Sequence, residues 1–258
     1  MDDLDTFAFK ELIVYTALFG DYDNLLDPSK HYLGCRFICF TDQVNLRSEI
    51  WEIVFLELNE VSPAMMNRRI KMLPHEYLPK SCVSVYIDSN IRVTRNPVYL
   101  IEKYLEGVDL AIPCHFRRDT VFEEALTLLR TGRISAYGVF RQMSEYINHG
   151  FRGQVKLGEH NIILRRHDAT IEIMEAWWRE FCRYPQRDQL CLSYILWICG
   201  YSQWMFMEES SRNNLGFSRQ THKKNAPDFF LKKLFRVFIF QIPYFIFMRF
   251  KAIPIRWS

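Results

Sequence analysis

Short blocks of apolar and β-branched residues, each closed by a polar or Gly-Asp break, recur along the chain up to about residue 200. Leu12–Phe19 ends at Gly20-Asp21 and predicts a strand that runs into a loop. Cys35–Thr41, stopped by Asp42, and Trp51–Leu58 predict two more. Val83–Ile87 predicts a buried strand followed by Asp88-Ser89-Asn90, and Asp109–Pro113 and His160–Leu164 predict two others. Between these blocks the spacing turns helical over Asn67–Leu73, Pro97–Leu105, Thr120–Arg130, Ile134–Tyr146, Ala169–Tyr184 and Asp188–Cys199. Glu123 and Glu124 fall early in one of these, where a helix dipole favours acids. Strands alternating with helices predict an α/β fold with a mostly parallel central sheet flanked by helices. Ligands of such sheets sit beyond the carboxyl ends of the strands. That rule points at Tyr15-Thr16-Ala17, Thr41-Asp42 and Asp88-Ser89-Asn90.

Charge is unevenly distributed along the chain. The 258 residues suit one large domain, or one and a half, and the net charge is only +3. From Ser211 to Ser258, however, ten basic residues face one acid, Asp228, a net of +9 that leaves −6 for residues 1–210. Two segments are expected: a body over 1–210 and a basic, aromatic, amphipathic helical tail over 211–258. The tail carries Phe, Ile and Trp interleaved with Lys232, Lys233, Arg236, Arg249, Lys251 and Arg256. That mixture predicts an interfacial helix, broken at Pro243, lying on an anionic membrane surface. The alternative is that it packs as hydrophobic helix onto the body or onto another subunit. No run reaches the ~18–20 apolar residues that crossing a bilayer needs. Val237–Met248 comes nearest and is interrupted by Gln241 and Pro243. The acidic start, MDDLDTFAFKE, lacks the basic and apolar regions of a signal peptide. Seven scattered Cys without CxxC spacing suit a reducing compartment. The expected location is cytoplasmic, peripheral at the inner face of the cell membrane. No recognised nucleic-acid-binding motif occurs, so no nucleic-acid partner is expected.

Asp88 and Asn90 place two oxygen-bearing side chains at i and i+2, a spacing that lets both face one divalent cation such as Mg2+ or Mn2+. The same two residues also suit a capped turn after a strand. Arg68, Arg69 and Lys71 lie in one predicted helix, where guanidinium groups serve phosphate binding or a solvated face equally well. Asp188, before an apolar helix, reads either as a functional acid or as an N-cap. The His115–Asp119 segment suits a phosphate, a carboxylate or an exposed loop. His75, His149, His160 and His167 show no metal-ligand spacing and are expected to be structural. GxSxG, Walker A, HExxH and GxGxxG patterns do not occur.

The ordered segments VYTALFGDYDNL, CRFICFTDQ, NRRIKMLPHEYLP, VYIDSNIRV, HFRRDTVFEEA, GEHNIILRRHD and RDQLCLSYILW extend from about residue 11 to 200. As a set they resemble the glycosyltransferase-like family of bacterial polysaccharide clusters and plant Golgi proteins, formerly a domain of unknown function. More remotely the chain resembles GT-A fold retaining galactosyltransferases and glycogenin. The resemblance implies a GT-A-type single domain that transfers a hexose from a nucleotide sugar, a UDP-sugar above all, to a glycan or lipid-linked acceptor. The setting it implies is cell-surface polysaccharide or lipopolysaccharide O-antigen assembly, with retention of configuration. It assigns the nucleoside to a loop of Tyr15, Thr16 and Ala17 with Tyr22 and Asp42, and the diphosphate to Arg68 and Lys71, with His115 also on the donor side. Asp88 and Asn90 stand at the DxD metal position, with Asn90 in place of the second Asp. Glu159, His160 and Asn161 match a segment bordering the donor sugar, and Asp188 and Gln189 a pair facing the reacting sugar. The rival readings are a sugar-nucleotide hydrolase or nucleotidyltransferase, and a degenerate, non-catalytic GT-A domain in a membrane complex.

Overall fold

The structure, a computed structural model, describes residues 12–132, 134–184, 187–221 and 234–256. The acidic start over residues 1–11 and Lys223, Lys224, Asp228, Lys232 and Lys233 of the tail lie outside the described residues. The chain first forms β1 (Leu12–Leu18), β2 (Cys35–Thr41), β3 (Glu52–Phe55), α1 (Pro63–Met72), β4 (Val83–Ile87), β5 (Ile91–Val93), α2 (Tyr99–Tyr104) and β6 (Leu110–Pro113). It continues with α3 (Val121–Thr131), α4 (Ala136–Asn148), β7 (Ile162–Arg166), α5 (His167–Arg183), α6 (Leu192–Ile198), β8 (Trp204–Met207), β9 (Phe217–Arg219) and α7 (Ile242–Phe250).

Two compact units result. The first gathers Met1–Pro113, Asn161–Glu172 and Gln203–Lys224 around a seven-stranded sheet of order β3-β2-β1-β4-β7-β6-β8. Every neighbouring pair is parallel except those made by β7, which runs antiparallel to β4 and β6. Helices cover both faces, which is why β1, β2 and β4 read as continuous apolar runs. Successive residues of a strand point to opposite faces. Leu12, Val14, Phe37, Cys39, Val85 and Ile87 therefore join Leu100, Ile101 and Tyr104 of α2 in one core. Tyr15 and Tyr86 point to the other face, where Tyr15 reaches the Lys71 carbonyl of α1.

Helix α1 begins earlier than its apolar spacing suggests, because Ser62 caps it by accepting from Met65 N at 3.2 Å and Pro63 opens its first turn. Strand β3 is shorter than Trp51–Leu58: the Trp51 indole is buried and donates to Leu26 O at 3.1 Å, outside the ladder. Strand β7 extends to Arg166, so the chain carries two arginines into a central strand.

Arg165 is fully buried and donates to the Tyr15 hydroxyl and, at 2.7 Å, to Lys71 O near the end of α1, where a cation complements the helix dipole. Beside it His167 contacts Ser84 Oγ at 2.7 Å and Cys82 Sγ at 3.2 Å. Burial, then the Arg165 charge, pushes the His167 pKa down to about 3. The folded chain thus keeps this imidazole neutral, while the unfolded chain protonates it near 6.5. Stability contributed by neutral His167 is lost as pH falls from about 6.5 towards 3, at about 1.4 kcal/mol per pH unit. Denaturant unfolding at several pH values across that window is expected to show a steeper decline for the native chain than for His167→Gln. Equal slopes would contradict this.

The second unit comprises Cys114–His160, Ile173–Ser202 and Asn225–Ser258. Thr120 caps α3 by accepting from Glu123 N at 3.3 Å, and Gly132 ends it in the left-handed conformation (φ 63°). Tyr146 of α4 stacks on Tyr194 of α6 at 3.8 Å between ring centroids, and Phe151 packs edge-on to both. The helix predicted over Asp188–Cys199 divides into a 3-10 turn, Asp188–Leu190, and α6.

The tail divides differently from a boundary at residue 210. Phe217–Arg219 pairs with β5 inside the first unit, whereas α7 packs within the second. A π-helical turn, Val237–Gln241, leads into α7, and Gln241 Nε2 donates to Leu126 O at 3.3 Å. Tyr244 and Met248 are buried, and Phe140 of α4 meets Tyr244 edge-on at 5.3 Å. Arg236 donates to Thr131 O at 3.0 Å, and the Arg256 backbone and side chain both bond Glu123 Oε1, at 3.1 and 3.2 Å. Part of the tail is thus packed onto the second unit, the alternative that its sequence leaves open. Among the described residues no helix is long and apolar enough to cross a membrane.

Candidate functional site

The parallel strands of the first unit deliver several expected residues to their carboxyl ends. Asp88 follows β4, is partly exposed, and takes a 2.9 Å hydrogen bond on Oδ1 from the Tyr86 hydroxyl. Burial and the Asp88 charge push the Tyr86 pKa well above its ordinary value while Arg68 opposes the shift, so the phenol keeps its proton and donates. Lys71 is buried, with Nζ 5.3 Å from the Tyr86 ring centroid, and Arg68 one turn earlier on α1 donates to Asn67 Oδ1 at 2.7 Å. The structure therefore gathers Arg68, Lys71 and Asp88 about Tyr86. Arg69 points elsewhere and pairs with Glu76 at 2.8 Å.

Asn161 immediately precedes β7 and lies beside Asp88, whose backbone N–H donates to Asn161 O at 3.0 Å. Its side-chain Nδ2 donates to Ser211 Oγ at 2.9 Å, while its buried Oδ1 has no hydrogen-bond partner. Asn90 is buried, with Nδ2 donating to Gln220 O at 2.8 Å, so this amide also ties β9 to the segment after β4. The carboxylate and the two amide oxygens are hard donors of the kind that Mg2+ and Mn2+ prefer, with one negative charge between them. Among the described residues no group of three or more His, Cys, Asp or Glu is arranged to hold a metal.

Tyr15, Thr16 and Ala17 do not form a loop. They are interior residues of β1, buried, with the Tyr15 side chain given to Arg165 and the Ala17 carbonyl accepting from Asn67 Nδ2 at 2.6 Å. Seven consecutive apolar or β-branched positions carry the strand past them to Leu18, and the chain turns at Gly20, where φ is +64°. The loop that follows is clamped by Asp42, whose Oδ1 accepts from Gly20 N at 2.9 Å, and by Gln43, which donates to Gly20 O at 2.7 Å. Tyr22 on that loop is exposed.

The remaining expected residues belong to the second unit. His115 N donates to Leu157 O at 2.9 Å and Cys114 bridges Gly158, which sets His115 beside the segment that leads to buried Glu159 and His160. His115 Nδ1 accepts from the backbone N–H of Arg117 and Arg118, at 3.2 and 3.1 Å. The His160 ring meets Trp177 edge-on at 5.1 Å. Asp188 is buried as the first residue of the 3-10 turn, one position past its N-cap, Arg187, so it does not occupy the N-cap position itself. Its carbonyl accepts from Trp177 Nε1 at 3.2 Å, and Gln189 beside it is half-buried. Glu124 is buried against Arg118 at 2.5 Å. Burial raises its pKa, which Arg118 and Arg187 oppose and Asp188 reinforces.

Two contributors have no signal singled out in the sequence, Tyr86 and Ser211, whereas the Arg118–Glu124 pair is the carboxylate option of the His115–Asp119 segment. Tyr86 is accessible in principle, because the residue two before a strand-end Asp shares its face. Ser211 lies 50 residues from Asn161, and no local pattern links the two.

A mostly parallel α/β sheet with a carboxylate, two amides and two basic helix residues near one strand end has its candidate ligand site at the carboxyl edge of the sheet, where such sheets bind their ligands. The chain belongs to the TOD1/MUCI70 glycosyltransferase-like domain family, whose profile matches residues 1–222. It is 24% identical over 251 residues to "Probable hexosyltransferase MUCI70" of Arabidopsis thaliana, covering 83% of this chain and 43% of that protein. It is 26% identical over 222 residues to "Alkaline ceramidase TOD1" of the same plant, covering 71% of this chain and 48% of that protein. The chain thus spans less than half the length of both curated relatives. Among solved structures, the galactosyltransferase LgtC in complex with donor and acceptor sugar analogues aligns at TM-score 0.43 and 12% identity, covering 76% of this chain and 72% of that one.

Proposed function

We propose that the chain is a hexosyltransferase that moves a sugar from a nucleotide donor, a UDP-hexose, onto a glycan or lipid-linked acceptor in cell-surface polysaccharide assembly. The reading rests on the Asp88 carboxylate, fixed by Tyr86 at the end of a parallel strand with Arg68 and Lys71 beside it, in a chain of a glycosyltransferase-like family.

Glycosyl transfer develops negative charge on the departing diphosphate and positive charge on the sugar ring. Arg68 and Lys71 meet the first. Asp88, Asn90 and Asn161 are the residues that would hold Mn2+ or Mg2+, which when bound supplies further positive charge against the diphosphate. Tyr22 and Asp42 flank the nucleoside, and Tyr15, Thr16 and Ala17 serve as scaffold beneath it. For the positive sugar ring the family resemblance assigns carboxylates to Asp188 and Glu159 and hydrogen-bonding groups to Gln189 and His115, all residues of the second unit. Retention suits this set, because the leaving phosphate takes the acceptor's proton and no strong base is required.

Tyr86 acts on Asp88 as a positioning residue. Tyr86→Phe is expected to weaken Mn2+-dependent UDP binding by about 10-fold, in the range seen when a ligand's supporting hydrogen bond is removed, with little change in melting temperature. Unchanged UDP binding would remove Tyr86 from the site.

The function itself is tested by a thermal-shift screen of sugar nucleotides with and without Mn2+, followed by product analysis. Acceptor-dependent release of UDP with a new glycosidic product is expected. The relative named a ceramidase makes hydrolysis the rival: free sugar without an acceptor, or cleavage of an amide lipid without nucleotide, would overturn the proposal. Failure to bind any sugar nucleotide would favour a non-catalytic domain.

A further inference from the structure

The tail helix has two unlike faces. Gln241, Tyr244 and Met248 are buried at i, i+3 and i+7, which fixes one side of the helix against α3 and α4. Phe235, Phe238, Ile239, Ile246 and Phe250 recur at i, i+3, i+4, i+11 and i+15 on the other side, each between 50% and 83% exposed. A single exposed Phe needs no explanation, but five large apolar groups on one stripe do.

The surroundings of the stripe are basic. Arg249 and Lys251 are exposed at its far end, with Lys251 Nζ 5.9 Å from the Phe247 ring centroid and 6.0 Å from that of Phe250. The sequence carries no acidic residue from Phe229 to Ser258, while Lys232 and Lys233 precede the helix. Asp119 and Glu123, on α3 and the segment leading into it, are engaged by Arg256.

We propose that this stripe docks on an anionic lipid surface, with Phe235, Phe238, Ile239, Ile246 and Phe250 entering the headgroup–acyl boundary and Arg249 and Lys251 meeting lipid phosphates. Lying in the interface matches a helix that has one apolar face and whose described residues are too few to span. A second copy of the chain fits less well, since pairing the stripe with itself sets one basic rim against another. The packed face holds the helix on the second unit, so membrane contact requires no detachment of the tail.

The test is co-sedimentation of the full chain with vesicles of phosphatidylcholine alone and of phosphatidylglycerol and phosphatidylcholine in equal parts. Binding is expected with the second and not the first, and is expected to fall in about 1 M salt, where the screening length shrinks to about 3 Å. Phe238→Asp/Ile246→Asp, at exposed positions, is expected to lower binding about 10-fold or more with an unchanged melting temperature. Arg249→Glu/Lys251→Glu is expected to abolish the preference for anionic vesicles. Absence of binding by the native chain, equal binding to both vesicles, or equal binding by the Asp variant would overturn the proposal. So would a lipid-free dimer in light scattering that the Asp variant dissociates. None of these readouts uses catalysis, so they stand apart from the proposed transfer reaction.

Discussion

Asp88→Asn is expected to lower kcat/KM for sugar transfer by about 10²–10³-fold, the cost typical of removing one preorganised electrostatic group from a site of charge development. The substitution keeps the volume of the side chain and can still accept from the Tyr86 hydroxyl, so the fold is expected to keep its melting temperature. What it removes is the single negative charge among Asp88, Asn90 and Asn161. With an Asp at both DxD positions, loss of one carboxylate would leave another; here Asn90 supplies none. Steady-state kinetics with melting temperatures as a control measure the effect. A loss of activity smaller than about 10-fold would place the reacting diphosphate away from Asp88.

Trp177→Ala is expected to produce the largest loss of stability. The indole is fully buried in the second unit, packs edge-on to His160 and donates to the carbonyl of Asp188. Truncating a buried Trp to Ala costs about 3–5 kcal/mol, through lost burial and the cavity left behind. In thermal unfolding this is expected as a fall of about 10 °C. Trp177→Phe separates packing from hydrogen bonding. It retains a ring but removes the N–H, at a cost of about 1 kcal/mol, and leaves Asp188 O with the Cys191 N–H as its remaining donor. If the 3-10 turn positions Asp188 for catalysis, kcat falls in the Phe variant by more than its stability loss explains. Unaltered kcat would make Trp177 a packing residue alone.

The strands legible in the sequence are those whose neighbours make them unavoidable. β2 and β4 agree with their predicted limits and β1 ends one residue early, because both faces of each are covered and the apolar run is unbroken. β5 and β9 are not legible: each has three residues, and they pair across more than a hundred positions, which no local periodicity reports. Arg165 carries the opposite signal. A charged residue argues against a buried strand, yet this one is buried because it donates to the Tyr15 hydroxyl and the Lys71 carbonyl.

The site is partly legible for the same reasons. Asp88, Arg68 and Lys71 follow from residue type and position, and α1 brings the two cations to the strand end. For Tyr15, Thr16 and Ala17 two signals conflict. The family resemblance assigns them to a nucleoside loop, whereas the unbroken apolar run from Leu12 keeps them in a strand that ends at Leu18, and the run prevails. The tail's charge is plain in the composition, whereas its division into a packed face and an exposed face rests on Gln241, Tyr244 and Met248. Those three are distinguished from their Phe and Ile neighbours only by contact with α3 and α4.

Whether the Asp88 end of the sheet receives a nucleotide diphosphate can be measured by calorimetric titration of UDP into the native chain and Asp88→Asn, each with and without Mn2+. Binding by the native chain is expected to depend on Mn2+ and to be weakened about 10–100-fold by the substitution. UDP binding that is equally tight without the cation and unchanged in Asp88→Asn would contradict a diphosphate site at Asp88.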